Sequence, residues 1–171
     1  MKFKTRARVK VMNTSSMDRN VTIQTISFRK FHKKGFNQGV GLLTNFIDYA
    51  SEQYPLDKSQ FFLLGFSQGA VMSMTLALTL GNRIKGIVAL SGYIPTFAKE
   101  EYRIKSVDQL SAFIAHGRLD QVLPYEWGVS AQEYFNSRGA SISFHTYQEG
   151  HTVSFENQQD FKEWLISDCK N

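Results

Sequence analysis

Apolar residues recur along this chain with two periods. Over residues 2–11, Phe3, Thr5, Ala7, Val9 and Val11 fall on one face and five basic residues on the other. That period of two predicts a half-exposed strand, placed at a sheet edge where lysines discourage further pairing. Residues 13–20 are polar and turn-like, and 21–28 are rich in β-formers and predict a second strand. Residues 29–41 are basic and carry glycines at 35, 39 and 41, so they read as a loop. Leu42, Leu43, Phe46, Ile47 and Ala50 then follow helical spacing up to Pro55.

The second half is more regular. Residues 60–65 form an apolar strand, and 70–80 are apolar almost all round, which predicts a buried helix stopped by Gly81-Asn82. Residues 84–90 read as a continuous apolar strand, 96–109 as an irregular polar connection, and 112–115 as a short strand. Residues 125–137 read as a helix, 140–147 as an alternating strand and 155–166 as the last helix. From residue 42 onward strands and helices alternate, which argues an α/β domain with a mostly parallel sheet. At 171 residues the chain is read as one domain over 1–171.

Charge changes this picture at one end only. Residues 1–34 hold ten lysines and arginines against Asp18, a net of +9, while the remainder carries −4. A basic arm of this kind can meet nucleic acid or anionic lipid, but no nucleic-acid-reading motif accompanies it, so no nucleic-acid partner is expected. The single cysteine, Cys169, excludes an internal disulfide and a cysteine-based metal site, and fits a reducing, cytoplasmic setting. No apolar run reaches the length of a membrane span and no secretion signal is expected.

The chemistry gathers around Phe61-Phe62-Leu63-Leu64-Gly65-Phe66-Ser67-Gln68-Gly69-Ala70. An apolar strand running into G-x-S-x-G and then a helix has the form of a nucleophile elbow, with Ser67 at the apex. Glycines at 65 and 69 spare the tight turn from side-chain collisions. Three strands end in chemically suggestive residues: Ser67, Asp120 and His151. Parallel sheets gather ligands outside the carboxyl ends of their strands, so these side chains are expected at one edge. In that arrangement His151 takes the serine proton, Asp120 orients the imidazole, and the backbone N–H of Gln68 donates to an oxyanion. Each residue has a plainer reading. Ser67 or Asp120 serves as a helix N-cap, and His151 caps the final helix or sits free in a loop. His116 is the competing base, read as packing structurally, and His32 and His145 are poorly placed. No metal-ligand spacing is present.

Gly65-Phe66-Ser67-Gln68-Gly69-Ala70, Leu90-Ser91-Gly92-Tyr93-Ile94-Pro95, the stretch from His116 to Pro124 and Gly150-His151 together resemble the phospholipase/carboxylesterase family. This group of small α/β-hydrolases includes acyl-protein thioesterases and bacterial carboxylesterases. The resemblance covers roughly residues 40–168. It implies an α/β-hydrolase fold with Ser67 as nucleophile, Asp120 as triad acid and His151 as base. It implies hydrolysis of small carboxylic esters or thioesters through an acyl-enzyme, with no cofactor. The first third departs from the family. No His-Gly pair precedes Ser67 to supply a second oxyanion donor. Three readings follow: a shortened gene product, a short form that recruits backbone from the glycine-rich stretch 35–41, or a non-catalytic hydrolase-fold module that binds partners. Loss of one oxyanion donor costs about 10²–10³ in turnover, so weakened activity is expected. An uncovered sheet edge or face also predicts a homodimer.

Overall fold

The computed structural model describes residues 6–13, 24–29 and 33–169. The described residues form one six-stranded sheet with strand order β2-β1-β3-β4-β5-β6. Strands β1 (Arg6–Asn13) and β2 (Gln24–Arg29) pair antiparallel, and β1 also pairs antiparallel with β3 (Phe61–Phe66). Strands β3, β4 (Gly86–Leu90), β5 (Ser111–Gly117) and β6 (Ser141–Tyr147) are parallel in sequence order. Each of those parallel connections carries a helix, as crossovers between parallel neighbours require.

Helix α1 is Lys33–Gln53, α2 is Gln68–Leu80, α3 is Thr96–Glu101, α4 is Tyr125–Asn136 and α5 is Phe155–Asp168. The larger core lies on one side of the sheet. There Phe36, Leu43 and Ile47 of α1 and nearly all of α2 pack with Leu63, Ile87 and Ile114. On the other side, Val88, Leu90, Phe113 and Tyr147 pack under Phe161, Trp164 and Leu165 of α5. Helix α2 is covered all round, which is why its sequence is apolar on every face.

Three expectations require correction. The loop expected over 29–41 is helical from Lys33 onward, where α1 begins, and residues 30–32 lie outside the described residues. Each glycine costs a helix interior about 1 kcal/mol relative to alanine, but here packing outweighs that cost. Phe36, Leu43, Ile47 and Ala50 lie on one face and are buried, and Gly39 is buried with them. Strand β1 is not an edge strand, because β2 covers its outer side. Part of the connection expected over 96–109 is helical, as α3. Of the two N-terminal segments, residues 2–5 and 21–23 lie outside the described residues. Among the described residues no helix is long and apolar enough to cross a membrane.

Candidate active site

Strand β3 hands the chain to α2 through one residue, Ser67, whose backbone lies at φ 55° and ψ −118°. Non-glycine residues avoid this region, and such strain costs on the order of 1–3 kcal/mol. The surroundings hold it there. The Ser67 N–H donates to the Leu90 carbonyl at 2.8 Å, and the Ser67 carbonyl accepts from Val71 N–H at 3.1 Å. The serine is thus pinned to β4 on one side and to the first turn of α2 on the other. Gly65 makes the tight turn sterically feasible: a Cβ there would sit 2.1 Å from the carbonyl carbon of Gly69. Gly92, just past β4, does the same for the next connection, since its Cβ would lie 2.5 Å from Ala70 Cβ.

Asp120 and His151 come from the loops after β5 and β6, and the two loops are tied together. Arg118 N–H donates to the Tyr147 carbonyl at 2.8 Å and Leu119 N–H to the Glu149 carbonyl at 2.9 Å. These bonds continue the strand pairing past the sheet. The loops approach so closely at Gly117 that a Cβ there would lie 2.3 Å from the Glu149 carbonyl oxygen.

The side chains of Ser67, His151 and Asp120 meet in a line. Asp120 Oδ1 accepts from the N–H groups of Val122 at 2.8 Å and Leu123 at 2.9 Å. Its Oδ2 lies 2.7 Å from His151 Nδ1. A carboxylate only accepts, so Nδ1 carries the proton. With that proton on Nδ1, Nε2 faces Ser67 Oγ, 2.9 Å away, where it can take the hydroxyl proton. Burial pushes the Asp120 carboxyl up. The Leu123 N–H, the His151 bond, the Val122 N–H and the nearby imidazole charge outweigh that burial and hold it below the usual carboxylate value. The His151 ring packs against Phe66, with ring centroids 4.8 Å apart.

The last helix is capped by Ser154, whose Oγ accepts from Asn157 N–H at 3.1 Å, and not by His151. Asp120 caps a turn ahead of α4, whose N-cap position is Pro124. His116 is 1% exposed, and its Nε2 is engaged by the Leu123 carbonyl at 2.9 Å. His145 lies within β6, bonded to Ser143. His32 falls outside the described residues. Burial and the neighbouring Asp168 raise the Cys169 thiol against the opposing pull of Lys85. Among the described residues no group of three His, Cys, Asp or Glu is placed to hold a metal ion.

The oxyanion side is simpler than expected on one count and different on another. Gln68 opens α2, in the first turn, where amides lack an intrahelical acceptor and the helix dipole is positive. The stretch 35–41 cannot act as a glycine-rich loop, because it is helical and the amides from residue 37 onward are committed within α1. Sequence reasoning also missed a cavity of about 330 Å³ between α3 and α4. Tyr93 and Trp127, with ring centroids 4.7 Å apart, line it together with Lys99 and Ser130. Its walls come from two segments, 93–99 and 127–131, that are remote in the chain, so no local pattern announces it.

A family model described as Phospholipase/Carboxylesterase matches residues 8–167. Acyl-protein thioesterase 1 of Yarrowia lipolytica is 27% identical over 144 residues, covering 81% of this chain and 62% of that protein. Acyl-protein thioesterase 1 of Saccharomyces cerevisiae is 31% identical over 111 residues, covering 64% of this chain and 48% of that protein. The chain thus spans roughly half to three-fifths of the length of these relatives. Among solved structures, the Bacillus cereus carboxylesterase superposes with a TM-score of 0.72 at 22% identity, covering 81% of this chain and 64% of that one. A phospholipase/carboxylesterase from Dyadobacter fermentans gives 0.73 at 19% identity, covering 85% and 75%. These two likenesses concern the fold, which is that of α/β-hydrolases.

Proposed function

We infer the function of this chain from its lineage and its geometry together: it belongs to the phospholipase/carboxylesterase family, and we propose that it is a serine hydrolase of carboxylic esters or thioesters. One observation carries the reading. A single imidazole lies 2.9 Å from the hydroxyl of a backbone-strained serine and 2.7 Å from a buried carboxylate. The relatives named acyl-protein thioesterase support the acyl class of substrate.

In the first half-reaction Ser67 Oγ attacks the acyl carbon while its proton passes to His151 Nε2. The oxyanion forms beside the Gln68 N–H. Asp120 holds the imidazolium in place through Nδ1. The C–O or C–S bond then breaks, and the Nε2 proton leaves with the alcohol or thiol. In the second half a water molecule gives its proton to Nε2 and attacks the acyl-Ser67 carbonyl. Collapse returns the proton to Ser67 and releases the carboxylic acid.

The competing reading is a non-catalytic module, motivated by the missing His-Gly pair before Ser67. Stopped-flow hydrolysis of short 4-nitrophenyl esters and acyl thioesters separates the two. The hydrolase reading expects a burst of product equal to enzyme and a mass increase of one acyl group on Ser67. A folded protein with neither burst nor acyl-Ser67 overturns it.

A further inference from the structure

The reaction uses the Asp120 carboxylate, but the residue that shapes its loop is a second, deeply buried histidine. His116 is the penultimate residue of β5 and is 1% exposed. Its Nε2 lies 2.9 Å from the carbonyl oxygen of Leu123. A carbonyl only accepts, so Nε2 carries the proton and donates. Leu123 is therefore held from both sides. Its carbonyl takes the His116 N–H, and its own N–H donates to Asp120 Oδ1 at 2.9 Å. The same Nε2 also lies 3.6 Å from Asp120 Oδ2, the oxygen that meets His151. Its positive N–H end thus faces the carboxylate without competing for the Oδ2–Nδ1 bond.

The other ring nitrogen shows that the ring is placed for this one contact. Nδ1 of His116 is buried and has no hydrogen-bond partner among the described residues. Leaving a buried polar atom unpaired costs about 1–3 kcal/mol, and an apolar side chain would avoid that cost. Helix α4 presses directly on this nitrogen. A Cβ at Gly128 would lie 2.5 Å from Nδ1 and 3.0 Å from Cγ. The Tyr125 ring stands edge-on to the imidazole, with centroids 6.1 Å apart. Gly128 thus lets the helix seat the ring against Leu123.

We propose that His116 is a positioning residue for hydrolysis. It fixes the turn from Asp120 to Leu123, and through it the orientation of Oδ2 toward His151 Nδ1. This rests on the hydrolase reading, and its test includes a signal that does not need turnover. That signal is the downfield proton resonance of His151 Nδ1, which reports the bond to Asp120.

His116→Leu fills the space but removes the donor. With folding verified by near-ultraviolet circular dichroism, kcat is expected to fall by on the order of 10²-fold, the loss that follows a small misplacement of a reacting group. KM should stay unchanged. The downfield resonance should broaden or move upfield. His116→Gln offers an amide N–H at similar reach and should restore the resonance and most of kcat. Should the leucine variant fail to fold, Gly128→Ala displaces the ring while keeping it, and the same resonance should move. A folded leucine or alanine variant whose resonance and kcat match the wild type overturns the proposal. An inactive wild type that shows the resonance overturns the hydrolase reading instead, and the variants' resonances then still decide the role of His116.

Discussion

Ser143, His145 and Asp160 repeat, on β6 and α5, the residue types of Ser67, His151 and Asp120. The second serine is even nearer its histidine, with Oγ 2.7 Å from Nε2 of His145. The two sets differ in everything around that contact. Asp160 Oδ2 lies 4.0 Å from His145 Nδ1, beyond hydrogen-bond reach, and is taken by the Tyr147 hydroxyl at 2.6 Å. Ser143 sits in an ordinary strand, with no helix opening behind it, whereas Ser67 is followed at once by the first turn of α2. The His145 ring stacks on Phe113 at 4.3 Å, as part of the sheet's packing under α5. Residue types in proximity do not make a charge path. The distance to the acid, the oriented backbone and the free amides at a helix N-terminus distinguish the set we read as catalytic.

The comparison is sharpened most by removing the two serines. Ser67→Ala should abolish hydrolysis, a loss on the order of 10⁶-fold by analogy with known serine hydrolases. Ser143→Ala should leave kcat/KM unchanged. A steady-state assay of both variants checks this, and equal losses would erase the distinction. Next in size, Asp120→Asn should lower kcat by about 10⁴-fold through the wrong imidazole tautomer, while Asp160→Asn should not change kcat.

Asp120 also links the site to stability. Its carboxyl is held below its ordinary value in the folded state. Its contribution is therefore complete above the unfolded carboxylate range and is lost as pH falls through the lowered folded value. Urea denaturation at descending pH should show that loss in the wild type. Asp120→Asn should lessen the acid-side decline, and an identical decline in both proteins would contradict the assignment. A smaller effect is expected at Gly65. Alanine there meets the backbone of Gly69 and Ala70 at 2.1–2.5 Å. The resulting overpacking should cost about 1–3 kcal/mol, read as a lower urea midpoint.

Much of the site was legible in the sequence because its parts are local. Gly65 and Ser67 announce a turn through their own steric demands, while Asp120 follows an apolar strand and His151 an alternating one. The alternation of strands and helices after residue 42 placed all three at one sheet edge. What the sequence hid depends on tertiary contact. The first turns of α1 carry three glycines, and only the burial of Phe36 and Gly39 against the core explains a helix there. The interior place of β1 was concealed because pairing depends on β2, and a lysine-bearing alternation reads the same with or without a neighbour. The clamp on Leu123 was invisible because a backbone carbonyl leaves no mark in sequence.

The central claim is that one serine, and not the other, is activated. Labelling with a fluorophosphonate probe, followed by peptide mass spectrometry, tests it most directly, because the probe reacts with an activated serine whatever the natural substrate. The account predicts the adduct on Ser67, lost in His151→Ala and retained in His145→Ala. A folded protein that labels at Ser143, or at neither serine, would contradict it.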